Sequence, residues 1–259
     1  MATNNNVIKL AFTGSTRLTL DSMNLIMALG NYKITCLFGL PDKDLVGKVN
    51  SVKMDSFCTE NKIYLDKSND WDSFHSLCLE RCVDMVITLG DSRIVPKKIV
   101  DGFEVIGNHG AILPNVQGGA SLVWGRMLNN YRWGVSIMRI AERVDGGEIL
   151  KTKEFSYKPE TTEEEFVAIS DKIAGELLIE VLKGNFEPKE NQRWDIRISK
   201  HTDSYRVKEI LEYCLENNLS IYLPPRIPED GKIKSEWPED FKESFKIANN
   251  SPYPKWSKE

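Results

Sequence analysis

"VDMVITLG", residues 83–90, is an apolar run that stops at a glycine. Beyond Asp84 it offers almost nothing that prefers water on either face. It therefore reads as a strand covered on both sides, as in the middle of a parallel sheet. A second strand, "EVIGNHG" (104–110), follows it. Upstream, "NDWDSFHSLCLERC" (69–82) reads as a helix, "KIYLD" (62–66) as a short strand and "YKITCLFG" (32–39) as a longer one. A Gly30-Asn31 stop separates that strand from "LTLDSMNLIMAL" (18–29), where Met23, Ile26 and Met27 share one helical face. The chain's first strand is "VIKLAFT" (7–13). Strands alternating with helices of this length predict right-handed βαβ units and a mostly parallel sheet, an α/β fold.

Past Gly119 the pattern continues with a helix, "ASLVWGRMLNN", then two strands, "WGVSIMRIAE" and "GGEILKTKEFSY". Thr161-x-x-Glu164 reads as a capping box opening a helix whose stripe is Phe166, Ile169, Ile173 and Leu177. From Arg193 the text turns rich in proline, tryptophan and charge, with one short amphipathic helix marked by Val207, Ile210, Leu211 and Cys214. The expected division is a main catalytic domain over 1–190 and a small C-terminal appendage over 191–259.

The 259 residues, 41% apolar and 28% charged, have the proportions of an ordinary globular chain. A formal charge of -4 argues against a broad nucleic-acid footprint. No apolar run reaches the ~20 residues of a membrane helix, and the start lacks the pattern of a secretory leader. Five cysteines without metal-like pairing predict reduced thiols, no metal site and a cytoplasmic location.

Two stretches invite chemistry. "FTGSTR" (12–17) is a strand, a turn and a helix start. Free N–H groups there, with Arg17, would suit a phosphate; a plain turn reads equally well. "VIGNHGAILPNVQGG" (105–119) ends a parallel strand on Asn108 and His109, where open α/β sheets bind ligands. "VDGGEIL" follows 36 residues after the histidine and supplies Asp145. A histidine oriented by a carboxylate is suited to moving a proton at neutral pH. His75, inside a helix, and His201, at a helix entry, read as structural.

The pair "IGNHGAILPNVQGG … GVSIMRIAERVDGGEIL" resembles the folate-dependent formyltransferases, whose hallmark is N-x-H-x-S-L-L-P followed by a distant D-x-G-x-I. His109, Leu113, Pro114, Gly118, Gly134, Val135, Asp145, Gly147 and Ile149 fall in register. The resemblance runs from "FTGS" through "VITLGDSRIVP" to about Lys183, and it implies a Rossmann-like formyltransferase core. It departs at three places. The family's asparagine position is Gly107, its serine is Ala111, and its basic turn residue is Gln117. Asn108 would serve as oxyanion donor only if a bulge turned it inward.

The resemblance implies N10-formyltetrahydrofolate as formyl donor and an amine as acceptor. It places the pterin among Leu89, Gly90, Asp91, Ile94, Glu142, Arg143 and Val144, and the catalytic set on Asn108, His109 and Asp145. "RIPEDGKI" (226–233) is similar to an element of the sugar N-formyltransferases, which makes a nucleotide-linked amino sugar the expected acceptor. Gly14, Ser15, Thr16 and Arg17 would meet its phosphates, and Asn115, Gln117, Gly118 and Trp124 its sugar. No nucleic acid or membrane is expected as a partner, and the proline- and tryptophan-rich tail is a candidate to cover a homodimer contact. A methionyl-tRNA-type or other amine formyltransferase, an N10-formyltetrahydrofolate hydrolase, and a folate- or nucleotide-binding protein with impaired catalysis stay open.

Overall fold

The computed structural model describes residues 7–46, 48, 50–130, 132–250 and 256–258. The reading of the chain's start as no leader rests partly on residues 1–6, which lie outside the described residues.

In chain order the elements are β1 (Ile8–Thr13), α1 (Arg17–Met27), β2 (Tyr32–Phe38), α2 (Asp42–Leu45), α3 (Asp55–Glu60), β3 (Tyr64–Asp66), α4 (Trp71–Glu80), β4 (Met85–Thr88), α5 (Lys97–Gly102), β5 (Glu104–His109), β6 (Val116–Gly118), α6 (Ser121–Leu128), β7 (Arg132–Arg139), β8 (Ile149–Ser156), α7 (Glu163–Leu182), β9 (Ile196–Arg197), α8 (Ser204–Glu216), β10 (Ile221–Leu223), β11 (Lys232–Ile233), α9 (Glu239–Ala248) and β12 (Ser257–Lys258). Packing divides the chain into two units that both draw on distant segments. One holds Met1–Asn108, Ile137–Glu148 and Ala174–Glu187; the other holds His109–Ser136, Ile149–Ile173 and Pro188–Glu259.

In the first unit the strands run β3-β2-β1-β4-β5, and each neighbouring pair is parallel. The run quoted first is β4, buried between β1 and β5 as its apolar text requires. Chain order reverses between β1 and β4, and such a switch point is where α/β sheets open a crevice at the strands' carboxyl ends. Ala11, Phe38, Phe74, Cys78, Val86 and Ile99 pack the core on one side.

In the second unit β7 begins beside β8, and a separate sheet runs β6-β10-β9. Its core mixes Val116, Trp124 and Met127 with Leu211, Ile221, Phe241 and Phe245. The C-terminal region shares one core with the segment after His109, and the chain passes from the first unit into the second between Glu187 and Pro188. Helix α9, which the sequence reading left unmarked, supplies Phe241, Phe245 and Ala248 to that core.

The capping box of α7 lies one residue later than its sequence reading. The Thr162 N–H donates to Glu165 Oε2 and the Glu165 N–H to Thr162 Oγ1, at 2.8 and 3.2 Å. Thr161 Oγ1 instead accepts from the Lys158 N–H, closing the preceding turn. Glu163, at the first turn of the helix, is carried into the interior.

Candidate active site

The carboxyl ends of β1 and β4 meet through close packing of their own loops. A Cβ on Gly90, whose φ is +74, would lie 2.0 Å from Thr16 Oγ1, and one on Gly14 2.6 Å from Thr19 Oγ1. Thr19 Oγ1 donates to the Leu89 carbonyl at 2.7 Å. Thr16 caps α1 by exchanging hydrogen bonds with Thr19. Ser15 Oγ accepts from the Leu40 N–H, and the Arg17 N–H donates to the Asn50 carbonyl. The Arg17 side chain pairs with Asp21 one turn on, largely in solvent. The Gly14, Thr16 and Arg17 N–H groups are thus bound within the protein, while the Arg17 guanidinium stays at the surface beside Asp21.

Asn108 follows the strand pairing of β5. The pairing of β5 with β4 runs without a shift from Met85↔Glu104 to Thr88↔Gly107, so regular strand geometry reaches the expected bulge site. Successive side chains leave a strand on opposite faces. Asn108 accordingly departs from the Gly107 face, and its Oδ1 accepts from the Gly90 N–H at 3.3 Å. The other face at Gly107 is filled: a Cβ there would lie 2.5 Å from Ile140 Cδ1. Ile140 occupies the space an asparagine would need.

Around these residues the two loops expected to hold the pterin flank β5. Leu89 is fully buried, and its carbonyl is held by Thr19. The buried Asp91 carboxylate is clasped by Arg93, which also donates to the Phe38 carbonyl at 2.7 Å and stacks on the Phe38 ring at 4.1 Å. Arg93 fixes this loop, and it lay unremarked inside "GDSRIVP". Ile94 is 68% exposed in the same loop, and Val144 is 41% exposed in the other. Both are large apolar side chains held in solvent. Glu142 reaches Lys97 at 3.8 Å, and Arg143 donates to the Gly146 carbonyl. Asp145 takes a left-handed conformation (φ 49) before Gly146 and Gly147. A Cβ on Gly147 would lie 1.8 Å from the Arg139 carbonyl oxygen, so this turn requires glycine.

In the second unit His109 is buried, with Nε2 2.9 Å from the Val116 carbonyl. A carbonyl can only accept, so in this contact Nε2 carries a proton and donates. Asn115 lines a cleft of about 420 Å³ with Asn130, Arg132, Glu154 and Asn218. Gln117 and Trp124, expected to line the sugar side, are interior. Gln117 is fully buried and donates to the Pro114 and Gln192 carbonyls. Trp124 is buried beneath the Arg226 guanidinium, 5.5 Å from its ring centre. Gly118 has φ +97, and its Cβ would lie 2.0 Å from the Leu223 carbonyl oxygen. The glycine-rich loop is closely approached, but by the chain's own β10. Among the described residues no cluster of His, Cys, Asp and Glu could hold a metal ion, and no helix is long and apolar enough to cross a membrane.

Residues 11–182 match the family described as formyl transferase. The methionyl-tRNA formyltransferase of Prochlorococcus marinus is 27% identical over 154 residues, covering 59% of this chain and 46% of that protein. The chain thus spans about half the length of such curated relatives. Among solved structures, a 4-N formyltransferase from Francisella tularensis superposes with a TM-score of 0.67 at 13% identity, over 98% of this chain and 93% of that one. An N-formyltransferase from Helicobacter canadensis, crystallised with folinic acid and dTDP-3-aminofucose, gives a TM-score of 0.62 at 14% identity, over 93% and 80%. At these identities the likeness shows the shared Rossmann-like α/β fold.

Proposed function

This chain belongs to the formyl transferase family, and we propose that it moves a formyl group from N10-formyltetrahydrofolate to the amine of a nucleotide-linked amino sugar. The observation that carries this reading is His109, a buried imidazole at the end of β5 whose Nε2–H is bound to Val116. An amine attacks a formyl carbon only when unprotonated and becomes acidic as it does so. In this reading His109 takes that proton, and Asp145 is the carboxylate of the catalytic set.

The donor supplies the formyl carbon and departs as an amine; the chain's task is to hold it. Ile94 and Val144 wall the ring, and the Gly90 turn brings backbone close to it. Asn108 becomes a positioning residue, anchoring that turn through the Gly90 N–H. The sugar acceptor is supported by neighbours in fold such as a sugar N-formyltransferase from Shewanella and the Helicobacter enzyme crystallised with dTDP-3-aminofucose. A chain of charge -4 offers little to a tRNA, whose binding rests on many phosphate contacts.

The test is incubation with N10-formyltetrahydrofolate and a panel of nucleotide-linked amino sugars, read by mass spectrometry for one added formyl group. His109→Gln retains a donor for Val116 and removes the base, so turnover should fall by about 10²–10⁴ with unfolding little changed. Formate released at equal rate without any acceptor would replace this reading with hydrolysis. Near-normal turnover in His109→Gln would remove the mechanism.

A further inference from the structure

Apart from Arg17 of "FTGSTR", a pair of surface cations stands beside aromatic rings. Arg193 and Arg197 are exposed and bracket Trp194 at the start of the β6-β10-β9 sheet. Arg197 is the Cα partner of Tyr222 in the parallel pairing of β9 with β10. The Trp194 and Tyr222 rings lie 4.6 Å apart. The Arg193 guanidinium sits 4.9 Å from the Trp194 centroid, and that of Arg197 5.5 Å from Tyr222 and 6.0 Å from Trp194.

Neither guanidinium has a hydrogen-bond acceptor or a carboxylate among the described residues, although Asp195 stands between them in sequence. Its carboxylate accepts instead from the Ser220 N–H and hydroxyl, at 2.8 and 2.9 Å. Those two bonds hold its pKa below the ordinary carboxylate value. Asp195 stays anionic but is turned to Ser220, and among the described residues it forms no ion pair with either arginine. A guanidinium over a ring is attracted by its face while its N–H edge stays available for in-plane, two-pronged bonding to phosphate oxygens. Two such forks beside two half-buried aromatic rings match a ligand that joins a diphosphate to a flat base.

We propose that Arg193, Trp194, Arg197 and Tyr222 dock the nucleoside diphosphate half of the acceptor, an inference that rests on the acceptor reading above. The cluster carries only two cations on an acidic chain, which favours a single nucleotide over a nucleic-acid strand.

The test is calorimetric titration of the full chain with UDP, dTDP, GDP and CDP, repeated on Arg193→Ala, Arg197→Ala and the double variant. Each single change should weaken binding of the preferred diphosphate by about tenfold and the pair by about a hundredfold, with binding of a folate analogue unchanged. Arg197→Lys should recover only part of the loss, because it restores charge without the planar fork. Both side chains are exposed, so thermal midpoints should stay within a degree or two of the parent. Unchanged binding in the double variant, or no diphosphate binding at millimolar concentration, would overturn the proposal. Tighter arginine-dependent binding of a single-stranded RNA oligonucleotide than of any diphosphate would also overturn it, in favour of a nucleic-acid surface. If diphosphates bind through the arginines but no amino sugar in the panel is formylated, the dock stands and the acceptor reading fails. If a sugar is formylated with an unchanged KM in the double variant, the acceptor reading stands and the dock fails.

Discussion

Putting asparagine at residue 107, where the family carries it, should cost stability. A Cβ on Gly107 would lie 2.5 Å from Ile140 Cδ1 and 3.1 Å from both Ile140 Cγ1 and Thr88 Cγ2. The tip of an isoleucine can rotate away, but its stem cannot. The Ile140 N–H is bound to the Val105 carbonyl at 2.8 Å, which fixes where that side chain begins. Forcing atoms into such a site costs about 1–3 kcal/mol. Ile140→Ala alone removes part of a half-buried side chain and is destabilising in its own right, by roughly 1–2 kcal/mol at a site that is only partly buried. In the double variant the clash disappears, so the two losses should not add. The coupling should favour the pair by about 1–3 kcal/mol. Urea unfolding of the parent, Gly107→Asn, Ile140→Ala and the double variant closes the cycle. The reasoning fails if Gly107→Asn matches the parent within about 0.5 kcal/mol, or if the coupling lies within about 0.5 kcal/mol of zero.

Glu163 is 1% exposed, with neither carboxylate oxygen hydrogen-bonded, and burial raises its pKa from 4.5 to about 8 against the opposing pull of Arg126 and Arg226. The folded chain therefore holds a proton between those values that the unfolded chain has lost. Stability from this group is complete below pH ~4.5 and falls as pH rises towards 8, by at most about 1.4 kcal/mol per pH unit. Glu163→Gln should flatten that slope in denaturation measured from pH 5 to 8, and an unaltered slope would show that Glu163 is not its source. Gly118→Ala would drive a methyl group to 2.0 Å from the Leu223 carbonyl oxygen at φ +97. It should break the pairing of β6 with β10 and lower the thermal midpoint by many degrees, and a variant melting with the parent would contradict the close approach.

The order of strands and helices was legible because it is written locally. β4 is apolar on both faces, α1 repeats its apolar residues at helical spacing, and each signal is complete within a dozen residues. His109 at a strand end was legible for the same reason, and its family setting rests on spacing within one stretch. The register of the α7 cap was one residue off because Thr161 and Thr162 each stand three residues before a glutamate, and only hydrogen bonding distinguishes them.

The sequence by itself determined an alternating α/β chain with a parallel sheet, a histidine at the carboxyl end of β5, and glycines wherever backbone must come close. It could not say what comes close to them. Gly118 admits β10, a strand more than a hundred residues later, and Gly90 admits Thr16 from the opposite side of the sheet's switch point. A glycine looks the same whether it makes room for a ligand or for the chain, because the missing side chain carries no information about its neighbour. The same holds for polar groups. Asn108, Gln117 and Asp195 each have donors or acceptors that a ligand could use, and tertiary contacts had already claimed them at Gly90, Gln192 and Ser220. Hydrogen-bonding capacity is a property of the residue, but what satisfies it is decided by which segments folding brings together.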